Sequence, residues 1–174
     1  MSETWASDVA AWHDFYVLTG TGGATLIGLM FVVVSLGPHL IAAHRPTGVP
    51  AFLTPIVVDF ASVLVIAGLM LAPALAPIAV AVALGVLGVA GVAFQILNDS
   101  HRLWRESELG TEDWVWFVAL PIVSYSLLVA AALAIGTETP YALFVVGAAT
   151  LLLIIIGIRN AWDVVLWMAA RPRD

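Results

Sequence analysis

Five apolar runs, each about as long as a membrane is thick, decide what this chain can fold into. A hydrocarbon core of roughly 30 Å calls for about 20 apolar residues of helix, since a helix satisfies its own backbone polar groups in lipid. The runs lie at about 15–36, 55–72, 77–97, 114–135 and 141–158. They predict an all-α, polytopic membrane protein with five transmembrane helices and a single membrane domain over 1–174. With 62% hydrophobic and 10% charged residues in 174, no segment is left over for a separate soluble domain.

Charge then orients the spans. All six basic residues, Arg45, Arg102, Arg105, Arg159, Arg171 and Arg173, fall on one side once the spans are drawn. Cytoplasmic flanks collect Arg and Lys, so the chain is expected in a bacterial inner (cytoplasmic) membrane with its N-terminus outside and C-terminus cytoplasmic. So strong a bias also argues against insertion in both orientations. The seven Trp, at positions 5, 12, 104, 114, 116, 162 and 167, sit near span ends, where amphipathic rings prefer the headgroup region. Ahead of the first span stand Glu3, Asp8 and Asp14 but no Lys or Arg, so a cleavable signal peptide is not expected. Trp5, Val9, Trp12 and Tyr16 recur at helical spacing opposite Glu3, Ser7 and Asp14, which predicts an amphipathic segment, 1–14, on the outer surface.

Turn chemistry places the span ends. Thr54 and Pro55 read as an N-cap followed by proline at the first helical position, and Thr139 with Pro140 repeats that start. Pro73 to Pro77 closes a tight hairpin, Gly136 ends the fourth span, and Pro121 marks a kink inside it. The third helix is expected to run on through Arg102 and Glu106 to Gly110. The fifth has no breaker before Ala170, so 159–170 reads as a cytoplasmic extension. Pro-Ile-Val stands near the start of spans two and four, and Asn98 and Asn160 follow starting prolines at nearly equal distances. These rhymes suggest a duplicated helical hairpin, spans 2–3 and 4–5, after an extra first helix; generic hairpin grammar would produce them too. A parallel repeat is not the inverted repeat of many transporters.

The first span carries Gly20, Ala24 and Gly28 at four-residue spacing beside Thr21 and Thr25. Small residues on one ridge let backbones approach and hydroxyls bond across helices. The ridge could pack within the chain, join copies of it, or line a pore. This stretch, GTGGATLIGLMFVVVSL, resembles the "GxxAALxGLLFVAVSL" first helix of a broad set of small, uncharacterised bacterial membrane proteins with acidic or aromatic N-termini. The resemblance implies a class and brings no activity with it.

Asp59 is the one acidic residue well inside an apolar span, and a charge there needs a partner, a proton or water. Ser62 follows on its face. The topology brings Asn98, Asp99, Arg159, Asn160 and Asp163 toward the same level, with Gly37 and His39 of the first span nearby. A polar cluster of Asp59, Asn98, Asp99, Arg159, Asn160 and Asp163 is therefore expected, with Asp59 to Arg159 as the ion pair and Arg159 to Asp163 as the i, i+4 alternative. Such a cluster could pin helix ends, gate an ion or proton pathway, or hold a small ligand or lipid headgroup. Ser124, Tyr125 and Ser126 are expected to repair the Pro121 kink by bonding backbone carbonyls.

Several chemistries lack their residues. Zero Cys leaves no disulfide, thiolate metal site or Cys nucleophile, and no Ser sits in a GxSxG elbow. No His lies within a span, so axial haem ligands are not in their usual place. His39, His44 and His101 could meet Asp99 at a metal, but their spacing matches no ligand motif and surface histidines account for them. Neither an enzyme nor a cofactor is expected, and a net charge of −6 gives no motive for binding nucleic acid. The expected partners are the lipid bilayer and further copies of the chain. The leading reading is a homo-oligomeric pore or channel-like pathway for ions or small solutes. The alternative is a non-catalytic accessory or assembly subunit bound to another membrane protein.

Overall fold

The computed structural model describes residues 3–36, 49–103 and 114–169. Among these the chain is all-helical: α1 (Glu3–Ala11), α2 (His13–Leu36), α3 (Val49–Leu71), α4 (Pro77–Leu103), a π-helical turn (Val115–Ala119), α5 (Leu120–Gly136) and α6 (Ala142–Ala169). Five helical stretches are long and apolar enough to cross a membrane, with the π-helical turn and α5 forming one of them. The protein is therefore a multi-pass membrane protein.

Alternating direction gives the molecule two ends. At one, α1 lies beside the turns from α3 to α4 and from α5 to α6; at the other, α2, α4 and α6 finish and α3 and α5 begin. The latter is called the arginine end, after Arg102 of α4 and Arg159 of α6. The other arginines, with Gly37 and Gly110, lie outside the described residues.

The helices pack in the spatial order α2, α3, α6, α5, α4, with α4 against α5 the most extensive pair. The last four close into a bundle whose core includes Val63, Ile66, Leu84, Leu128, Val146 and Leu153. α2 stands outside it, mainly on α3. The two hairpins are not packed alike: α5 and α6 pack broadly, whereas α3 and α4 touch much less.

Glycines set the close approaches. A Cβ on Gly20 would lie 2.8 Å from Ala67 Cβ, one on Gly88 2.8 Å from the Tyr125 carbonyl oxygen, and one on Gly147 2.7 Å from the Trp12 ring. Trp12 also meets Phe144 edge-on at 5.0 Å, and the Trp5 indole donates to the Leu75 carbonyl at 3.4 Å. These contacts tie α1 and the start of α2 to the bundle end.

Two local readings need correction. The second span matches the expected one closely, at Leu53–Leu71, but its helix is already formed at Val49, so Pro55 lies inside the helix and not at its first position. α6 begins at Ala142, with Thr139 and Pro140 in the preceding turn. Gly136 ends α5, as expected, and the left-handed residue that follows it is Glu138 (φ 54°). The Thr139 N–H then reaches back to the Ala134 carbonyl at 2.9 Å, serving a carbonyl the helix leaves open.

Candidate functional site

Asp59 lies nearly three turns into α3 and is fully buried (0% exposed). Its position follows from the apolar residues around it: Ile56, Phe60 and Val63 face the core, and Asp59 shares that face. Tyr125 of α5 reaches across and donates its hydroxyl to Asp59 Oδ1 at 3.0 Å. Ser62 Oγ lies 3.0 Å from the same hydroxyl and can also donate to the Val58 carbonyl at 2.8 Å. Tyr125 fits because α4 presents Gly91 beneath it, where any Cβ would run into the ring. The second oxygen, Asp59 Oδ2, meets no hydrogen-bond partner among the described residues.

Further buried polar groups gather toward the same end. Gln95 of α4, one turn beyond Gly91, is 1% exposed and has neither Oε1 nor Nε2 partnered among the described residues. Asn98 continues that face, and its Nδ2 is likewise unpartnered. Asn160 of α6 is 1% exposed; its Nδ2 donates to the Trp116 carbonyl at 3.3 Å, and its Oδ1 is left over.

The Asn160 bond has a backbone cause. In the π-helical turn the Leu120 N–H bonds the Val115 carbonyl, five residues back. The next carbonyl in that register, Trp116, would look to residue 121, which is proline and has no N–H. Asn160 supplies the missing donor. Ser124 Oγ donates to the Leu120 carbonyl at 3.0 Å, the kind of backbone bond expected of it, but it does not serve Trp116.

Arg159 does not pair with Asp59. It forms an ion pair with Asp163 one turn along α6, and its guanidinium lies 5.8 Å from the Trp116 ring centroid. Arg159 and Asn160 are consecutive and so point about 100° apart around the helix. Only Asn160 faces inward, while Arg159 and Asp163 share a half-exposed flank. The expected cluster thus separates into an inward part, the buried Asp59 and Asn160 with the half-buried Asn98, and a flanking pair, Arg159 and Asp163. The Asp99 side chain lies outside the described residues, as do His39, His44 and the His101 side chain. Tyr125 and Gln95 belong to the inward part and were not in the expected set. Gln95 was visible as an amide within an apolar run, but Tyr125 could be found only by knowing that it reaches across the bundle interior from α5 to α3.

The ridge on α2 also divides. Gly20 faces α3, whereas Thr21, Ala24, Thr25 and Gly28 are exposed, and a Cβ on Gly28 would meet nothing within 4 Å. At about 100° per residue, positions 20 and 28 differ by roughly 80°, enough to carry the ridge from the interface to the outside.

A cleft of about 630 Å³ opens at the opposite end, lined by Trp5, Asp8, Trp12, Pro77, Glu138 and Phe144 among others. Asp8 and Glu138 are exposed there and need no partner. The buried groups around Asp59 carry the greater energetic demand, because an ionised carboxylate at depth in a membrane costs on the order of 3 kcal/mol or more. The chain matches no protein-family model, no curated protein and no solved structure.

Proposed function

We propose that the protein assembles with copies of itself, through the outer face of α2, into a channel-like pathway for ions or small solutes. The orientation read from the arginines, N-terminus outside and C-terminus cytoplasmic in a bacterial inner membrane, belongs to the same reading. It assigns the chain no enzymatic chemistry. The observation that carries it is the exposed ridge Thr21, Ala24, Thr25 and Gly28. Against lipid, small side chains forfeit contact area; against another helix, they permit backbone approach. Gly28 gives a clean probe, because a side chain there has open space within its own subunit. Native mass measurement should find a closed ring of identical chains, and reconstituted vesicles should pass small ions. Gly28→Leu should leave the subunit folded while reducing both the assembly and the flux. A protomer-sized mass together with tight vesicles would overturn the proposal.

The second reading, an accessory or assembly subunit, uses the same ridge to dock a helix of another membrane protein. It is favoured by α6, which carries an exposed Trp162 and continues past Arg159 to Ala169. Co-purification with one other membrane protein at fixed ratio, and no ring of identical chains, would select it.

A further inference from the structure

We propose that Asp59 binds a proton inside a water-accessible half-channel that opens only at the arginine end of the bundle. The proposal concerns the interior of one subunit and does not rest on assembly through α2.

The steps of the half-channel lie along α4. Asn98 is nearest the arginine end, Gln95 lies about one turn deeper, and Gly91 one turn deeper again, with the Tyr125 ring against it. Tyr125 leads to Asp59 and Ser62 on α3, and Asn160 adds a polar group from α6. The unpartnered atoms are of both kinds: acceptors at Asp59 Oδ2, Gln95 Oε1 and Asn160 Oδ1, donors at Gln95 Nε2 and Asn98 Nδ2. A metal cation would want oxygens alone. Water, which donates and accepts and makes about three hydrogen bonds when buried, suits a mixed lining. Beyond Tyr125 the path stops. Val63, Ile66, Leu84, Leu128, Ala131 and Leu153 fill the bundle there, and the hydroxyl of buried Thr150 is turned to the Val146 carbonyl at 2.8 Å.

The groups that bear on Asp59 are few. α5 presents Tyr125, which holds Oδ1. α6 offers Arg159 and Asp163, paired with each other on their flank. The titratable residues of α2, His13, Asp14 and Tyr16, stand at the other end, and α4 has none between Pro77 and Asn98. No cation pairs with the carboxylate among the described residues, and the proposal gives it a proton as its neutralising charge. Hydronium at the deepest step transfers a proton to Oδ2, an O–H bond forms there, and water is left; release reverses the step.

Two measurements on the full chain in lipid nanodiscs test this. Dicyclohexylcarbodiimide adds to protonated carboxyl groups in apolar surroundings, so mass spectrometry of the unsubstituted chain should find the adduct on Asp59. Its yield should fall roughly tenfold per pH unit above its midpoint. The second measurement exploits the absence of native Cys. A cationic, membrane-impermeant methanethiosulfonate should modify Gln95→Cys but not Leu84→Cys or Leu128→Cys. An unlabelled Asp59, labelling indifferent to pH, or protection by sodium at constant pH would overturn the proton assignment. Inert Gln95→Cys, or modified Leu84→Cys, would overturn the one-sided half-channel. The carbodiimide experiment needs no variant, so it stands even if a cysteine variant fails to fold.

Discussion

At the scale of single residues, glycines here act as seats for larger side chains. Gly91 seats the Tyr125 ring and Gly157 the Phe60 ring, and in each case an added Cβ would lie inside the ring's volume. Tyr125 is also the donor to Asp59, so packing on α4 governs the polar contact on α3. Gly91→Ala should therefore destabilise the protein by about 1–3 kcal/mol, the usual cost of overpacking a filled interior. Gly22→Ala, with nothing within 4 Å of the new carbon, should be neutral or gain up to about 1 kcal/mol from helix propensity. Thermal unfolding of both variants in one detergent checks the contrast; equal losses would mean that the seat on Gly91 does not matter. The same scale explains what sequence could not reveal. That Asp59 needed a partner was plain from its apolar neighbours. Which partner it took depended on helix rotation: Arg159 reaches the right level but the wrong face, and Tyr125 sits on a helix remote in sequence.

At the scale of elements, length and apolarity sufficed to find the spans, because no other structure hides the backbone of so long an apolar run. Ends were harder to read. Thr54 and Pro55 read as a start for α3, yet the helix is already formed at Val49. Pro121 was legible as a disturbance of the fourth span, but its form, a π-helical turn stitched to α6 by Asn160, required the neighbouring helix. This stitch is testable. Asn160→Ala should cost about 1–3 kcal/mol by leaving the Trp116 carbonyl without its donor. Pro121→Ala restores a backbone N–H at the position whose absence created the need. In that background Asn160→Ala should cost less, with a coupling on the order of 1 kcal/mol in a double-mutant cycle. Strict additivity would show that Asn160 does not act through the proline.

At the scale of the whole molecule, four helices close on one another while α2 depends mainly on α3. That dependence runs through small residues: Gly20 lies against Ala67, and a Cβ on Gly23 would come within 3.2 Å of both the Phe60 carbonyl oxygen and Val63 Cγ1. A helix held chiefly on one side loosens separately when that side is disturbed, since stability is distributed over cooperative units rather than shared evenly. Gly20→Val places three carbons where not even one fits and should push α2 away from α3. Amide exchange should then accelerate along α2, with α3 to α6 close to their original protection. Uniform acceleration would instead make α2 part of a single cooperative unit with the bundle. The same variant bears on assembly: Gly20 faces inward and Gly28 outward, so Gly20→Val should disturb α2 within each subunit and Gly28→Leu only the contact between copies. Exchange measured on both variants, beside their native masses, separates the two faces of the helix. Loss of the ring without faster exchange in α2 is the result expected of Gly28→Leu alone.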